Sequence, residues 1–326
     1  MLGSSLFVFA ACHASSDGGR SSDGEPDASL SPMPGADGGR GSDAAMASET
    51  SDVDAATAPP APIGPTGTWT LVFADEFDGT SLDGSKWSSG WWTDSPTATS
   101  APTNSYELQS YGPEGIVFPG DGAVHLRLRA VPKNAYGKTY ESGMIQSSNR
   151  FTFDPTASPT VIEARIRVAG PNAKAGGYWP AFWLLPNANA HGGSGGWPPE
   201  IDVFELFGSS NAPRTTFHTT GEDINYQQDV TPGSLDLSLA FHVYTFEMSS
   251  SAFTLYFDGA KSWTYTDTDT IANMLAKPPL YVLFNFAFGS DGDTATAAIP
   301  NDMVIDYFRT WRRGLSRAVS SKSGVR

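Results

Sequence analysis

Alternation with a period of two runs through most of this chain and leaves few folds open. In TVIEARIRVA (residues 160–169) apolar and polar side chains change places residue by residue, and AVHLRLRA (123–130) does the same. A strand sends successive side chains to opposite faces, so each stretch has one face to bury in a core. FHVYTFEMS (241–249), FTLYFDG (253–259), LYVLFNFAFG (280–289) and DMVIDYFRTW (302–311) extend the series, with GPEG, PGDG, DPTASP and DG as turns. The helical candidate TIANMLA (270–276) is too short to organise a fold. Many short alternating strands at this length predict an all-β, two-sheet antiparallel sandwich.

Composition sets the limits of that sandwich. Between Cys12 and Thr66 there is no Phe, Trp or Tyr, and Ser, Asp, Gly, Ala and Pro dominate. Such a segment buries too little apolar surface to offset its ordering entropy, so residues 13–66 read as a disordered linker. The nine Trp all lie from Trp69 onward. The folded domain is therefore expected over residues 67–313, with 314–326 as a flexible tail. Residues 1–66 hold nine Asp or Glu against two Arg, −7 of the net −15. The remaining charge is modest and argues against nucleic-acid binding by bulk electrostatics. The single cysteine excludes an internal disulfide. MLGSSLFVFAAC (residues 1–12) is apolar up to Cys12 and resembles the end of a bacterial lipoprotein signal, without the basic n-region. It implies a secreted or cell-surface protein with Cys12 as a lipidation site and the linker as a tether.

The stretch GGWPPEIDVFELFG (residues 195–208) carries three carboxylates at informative spacing. Glu200 and Asp202 share a strand face. Strict alternation sends Glu205 to the opposite one, and Val203-Phe204 breaks the apolar pattern at the same point. Either Glu205 is a solvated residue on the wrong face, or a β-bulge at Val203-Phe204 turns it back. With a bulge, Glu200, Asp202 and Glu205 project together. The two Glu carboxyls can then approach to about 5 Å, the separation of a nucleophile and an acid/base in a retaining glycosidase. Nothing basic lies within the stretch to relieve the crowded charge, an arrangement found where perturbed pKa values are useful. Other residue types suited to sugar binding occur nearby: Trp179 and Trp183 in GGYWPAFWLLP, Trp197, Asn104 and Glu107 in NSYELQSY, and Asn285 in LFNFAF. A sandwich Trp is as readily core as platform.

EIDVFE, preceded by YWPAFWLLP and a Trp-Pro, resembles the signature of glycoside hydrolase family 16, the laminarinase-like endo-β-glucanases and their galactan-cleaving relatives. LVFADEFDGTSLDGSKW, YESGMIQS, FHVYTFEM, LYFDG and MVIDYFRTW follow the family's order. The resemblance implies a β-jelly roll with an open concave cleft and a retaining mechanism. Glu200 would be the nucleophile, Glu205 the general acid/base, and Asp202 a neighbour that hydrogen-bonds Glu200. It further implies sugar stacking on Trp179, Trp183 and Trp197, a cleft role for His218, and no cofactor for catalysis. A structural calcium on the convex face would use Asp306 with the carbonyls of Glu76 and Gly122. The expected substrate is β-1,3- or mixed β-1,3/1,4-glucan, with a red-algal galactan or transglycosylation as alternatives, and the protein is expected to be a monomer. A non-catalytic carbohydrate-binding sandwich is the competing class, and it has no need of the three carboxylates.

Overall fold

In the computed structural model the described residues are 60–170, 176–192, 196–208, 213–220, 223–226, 235–289 and 294–314. Cys12, the apolar start, most of the expected linker and nearly all of the tail lie outside them. The domain is the expected two-sheet sandwich. A seven-stranded sheet orders its strands as Asp223–Tyr226, Arg214–His218, Glu200–Glu205, Tyr178–Pro186, Leu280–Phe288, Met144–Gln146 and Ser88–Ser89. The facing ten-stranded sheet is built around Thr160–Arg167, His242–Met248, Val124–Ala130 and Asn301–Arg313. The sequence-predicted strands recur within a residue or two of their ends. The short helix runs from Thr268 to Met274 and is capped by the Asp267 side chain on Thr270 N–H.

Alternation in the two central strands of the seven-stranded sheet divides the molecule's interior. Phe182 and Leu184 on one strand, and Val282, Phe284 and Phe286 on the other, face the second sheet and join the main core. Ala181, Trp183 and Leu185, with Tyr281 and Leu283, face the other way and form a separate apolar cluster on the cleft side. Phe182 and Phe284 stack in the main core with ring centroids 4.6 Å apart, and Phe308 of the second sheet meets both rings edge-on. Each fully buried side chain of this size contributes roughly 1.5–3 kcal/mol by leaving water.

The folded domain begins before Gly67, which corrects the expected boundary. Residues 60–66 lie against the ten-stranded sheet: Trp311 Nε1 donates to Pro60 O at 2.8 Å, and Ile63 N donates to Glu163 Oε2 at 2.7 Å. Glu163 is fully buried and also accepts from Thr245 Oγ1 at 2.8 Å and Tyr307 OH at 3.0 Å. Burial raises its pKa, and those donors oppose the shift. Composition concealed this because the segment is held by its backbone groups. Gly64 has φ +107°, and a Cβ there would sit 2.6 Å from the Tyr256 ring, so this crossing requires glycine.

Phe182→Ala should destabilise the domain by about 3–5 kcal/mol, because it empties a site packed against the Phe284 and Phe308 rings. Urea unfolding of the full chain measures it, and a loss below about 1 kcal/mol would contradict the packing described.

Candidate active site

The irregularity in the carboxylate strand is a bulge. Against the neighbouring strand Asp202 pairs with Trp183 and Phe204 with Phe182, and on the other side Asp202 pairs with Thr216 and Glu205 with Arg214; both registers shift between these pairs. Val203 and Phe204 consequently both enter the main core, where Phe204 stacks on Tyr244 at 4.7 Å. The carbonyl of Val203 accepts from the buried Thr215 hydroxyl at 2.9 Å, which satisfies an oxygen at the point where the ladder slips. Glu200, Asp202 and Glu205 emerge on the cleft face as neighbours, each almost wholly buried.

Each carboxylate has its own partners. Trp179 Nε1 donates to Glu205 Oε1 at 2.8 Å, and Trp197 Nε1 donates to Glu200 Oε2 at 3.2 Å. His218, opposite Glu200 in the ladder, places Nε2 at 3.0 Å from Asp202 Oδ2 and 3.5 Å from Glu200 Oε1. Asp202 lies beside both glutamates: it raises the pKa of Glu205 through its charge and a side-chain interaction, and that of Glu200 through its charge. The bulge turns Glu205 back beside it.

Burial pushes Glu205 well above the ordinary carboxylate range, and the charge of Asp202 adds to it. Burial and Asp202 also raise Glu200, and His218 and the Trp197 N–H oppose that rise. His218 and the Trp179 N–H oppose the rise of Glu205 in the same way, so both glutamates are held above the ordinary range and each keeps its own indole donor.

The expected sugar contacts divide into two groups. Trp179 and Trp197 are half-buried and flank the two glutamates. Tyr106 lies parallel to Trp179, with centroids 6.2 Å apart. Trp183 is only 6% exposed, Asn285 5% and Glu107 1%, so none of these three offers an open surface to a sugar. They form a chain behind the cleft. Trp183 Nε1 donates to Asn285 Oδ1 (2.7 Å), Asn285 Nδ2 to Tyr111 OH (3.0 Å), and Tyr111 OH to Glu107 Oε2 (2.8 Å). Asn104 Oδ1 accepts from the Glu107 backbone N–H at 3.1 Å and holds its turn. Three residues expected at the sugar are thus supports for the cleft floor: alternation gave their face, and other side chains cover them. The sequence reading passed over Tyr106, Trp91 and Trp92; the aromatic pair in GWWTD was the available signal.

On the convex face Asp306 Oδ2 is 2.6 Å from Arg165 Nη1, so the side-chain carboxylate expected at the calcium is paired with arginine. Among the described residues, the one trio of acidic or His side chains close enough to hold a cation is Glu200, Asp202 and His218. There a metal would compete with the proton and occupy the anion.

Comparison with known proteins places these features in context. The family described as beta-glucan synthesis-associated protein SKN1/KRE6/Sbg1 matches residues 51–203. Endo-1,3-1,4-beta-glycanase ExsH of Rhizobium meliloti is 29% identical over 259 residues, covering 74% of this chain and 51% of that protein. The chain thus spans about half the length of that relative. A beta-glucanase of Rhodothermus marinus is 28% identical over 268 residues, covering 75% of this chain and 85% of its own. Among solved structures, the endo-1,3-beta-glucanase of Streptomyces sioyaensis superposes with a TM-score of 0.60 at 26% identity, over 78% of this chain and 99% of that one. The laminarinase catalytic domain of Thermotoga petrophila gives 0.63 at 24%, over 77% and 100%, and shows the shared fold.

Removing His218 takes away a partner that favours the charged forms of both glutamates. His218→Ala should therefore shift the acidic limb of the kcat/KM pH profile to higher pH. Trp179→Phe removes a hydrogen bond that favours charged Glu205 and should move the alkaline limb upward. Profiles of both variants on one glucan check the assignment, and a shift of either of these limbs to lower pH would reverse it.

Proposed function

We propose that the chain belongs to glycoside hydrolase family 16 and is a retaining glycosidase cleaving β-1,3- or mixed β-1,3/1,4-glucan by double displacement. The observation that carries the reading is the bulge, which sets Glu200 and Glu205 on one face with Asp202 between them. An inverting enzyme needs a wider gap that admits water between its carboxyls.

In the first step a Glu200 oxygen attacks the anomeric carbon while Glu205 gives its proton to the departing glycosidic oxygen. The bond to the leaving chain breaks as the sugar–Glu200 ester forms. Esterification removes the negative charge of Glu200, so the pKa of Glu205 falls and its carboxylate can take a proton from water. That water attacks the same carbon, the ester bond breaks, and Glu200 returns as an anion. Asp202 holds the Glu205 proton before the first step and orients His218 beside Glu200.

A neutral glucan is preferred over a sulfated galactan because, among the described residues, Arg214 is the cationic side chain on the strands paired with the catalytic strand, and its guanidinium rests over the Phe207 ring at 5.0 Å. A second reading, transfer of the glycosyl unit to another glucan chain, is favoured by the match to the synthesis-associated family. It uses the same Glu200 ester with a sugar hydroxyl in place of water. We further propose that the domain acts outside the cell, tethered through lipidated Cys12.

Glu200→Gln should abolish reducing-end release from laminarin and mixed-linkage glucan. Glu205→Gln should lower it by about 10²–10⁴-fold, with a smaller loss on an aryl glycoside whose leaving group needs no proton. Reducing-sugar assays on the full chain, with agarose and κ-carrageenan alongside, are the test. Cleavage of a galactan alone would overturn the substrate, and inactivity of the wild type on all four would overturn the enzyme reading. Chain elongation with an added oligosaccharide acceptor would select transfer.

A further inference from the structure

Residues 90–93 fold from the edge of the seven-stranded sheet back over its cleft face. Gly90 N donates to Met144 O at 2.9 Å, Trp91 N to Ser100 Oγ at 2.7 Å, and Gln146 Nε2 to Thr93 O at 2.8 Å, so the segment is tied down along its length. Trp91 stacks on Trp183 with centroids 5.6 Å apart and planes 19° apart, and Trp92 stacks on Trp91 at 4.7 Å and 21°. Trp91 therefore stacks against two indoles. Trp92 meets Tyr281, which lies close enough to Glu200 to feel its charge. Trp91 and Trp197 pack on the same apolar cluster, and Trp197 hydrogen-bonds Glu200.

Trp92 adopts φ +54°, a region costing a bulky residue about 1–3 kcal/mol, so contacts elsewhere must offset the strain. The ring stack is what that backbone turn produces. A sugar binds an indole by laying its C–H face on the ring, and on Trp183 that face is taken by Trp91.

We infer that Trp91, backed by Trp92, ends the series of sugar-binding positions on the Glu200 side of the cleft and so limits how many units of the glycosyl portion the protein grips. The inference rests on the glycosidase reading above and names a specificity-determining residue within it. The chain portion destined for Glu200 is bounded by the carboxylates on one side and the Trp91–Trp92 wedge on the other. Sugar units farther out gain no contact with Trp183.

The test uses the full chain carrying Glu200→Gln, titrated calorimetrically with β-1,3-gluco-oligosaccharides of increasing length. Affinity should level off early in the series. Adding Trp91→Ala uncovers one face of Trp183 and should tighten the longer members about tenfold, the value of one added stacking contact. Trp91→Phe, which keeps a ring on Trp183, should leave the plateau in place. Trp92→Gly relieves the positive φ and withdraws the backing ring; it is the second variant and should act in the same direction. Unchanged or weaker binding of long oligosaccharides by folded Trp91→Ala and Trp92→Gly would overturn the inference and leave the glycosidase reading intact. Failure of all these proteins to bind any β-1,3-glucan would overturn the glucan reading, and this inference with it.

Discussion

One extra residue in a strand governs the chemistry available to this domain. The bulge at Val203-Phe204 is held from the core side, since both side chains enter the main core and Phe204 lies flat against Tyr244. Without it the pleat would send Glu205 into that core, where an unpaired carboxyl costs several kcal/mol. With it, three carboxylates share the cleft face and their mutual repulsion must be managed. Core packing and cleft electrostatics are thus two sides of one backbone irregularity, and neither can be altered alone.

The repulsion is managed by uneven partners. Glu205 has Asp202 at its side and one indole donor, and burial with the Asp202 charge raises its pKa. Glu200 has its own indole donor and the histidine nearest it, which oppose the same rise. Asp202 acts on both glutamates at once: its charge raises both, while its hydrogen bonds to Glu205 and His218 differ in kind. Losing any one partner would move the proton between groups, so the residues around the carboxylates matter as much as the carboxylates themselves.

Much of this was legible in the sequence, and what was not has identifiable physical reasons. Period-two alternation locates strands well because each has one face in a core, and EIDVFE announced the bulge because an apolar pair and a misplaced acid break alternation together. The faces of Trp183 and Asn285 were also legible. Their exposure was not, because it depends on Trp91 and Tyr111, which arrive from other parts of the chain. Glu107 was misassigned for a related reason: a buried acid and a cleft acid look alike in sequence, and only its ring of donors distinguishes them. The boundary at Gly67 was set by composition, which is blind to backbone hydrogen bonds such as Ile63 N to Glu163.

The covered Trp183 has a consequence for how the cleft is built. Its indole N–H is committed through Asn285 and Tyr111 to Glu107, and Glu107 is stabilised in turn by Gln109, whose carbonyl oxygen receives the backbone N–H of Phe288 at 2.8 Å. Such a fully partnered polar chain inside an apolar cluster fixes one ring orientation, since any rotation would strand a buried donor. Trp91 can stack only on a ring held still, and Trp92 can offset its backbone strain only if Trp91 is in place. The rigidity of the cleft floor therefore originates in Glu107, far along the hydrogen-bond chain from the reacting carboxylates. It reaches them through Trp183, which pairs with Asp202 across the ladder.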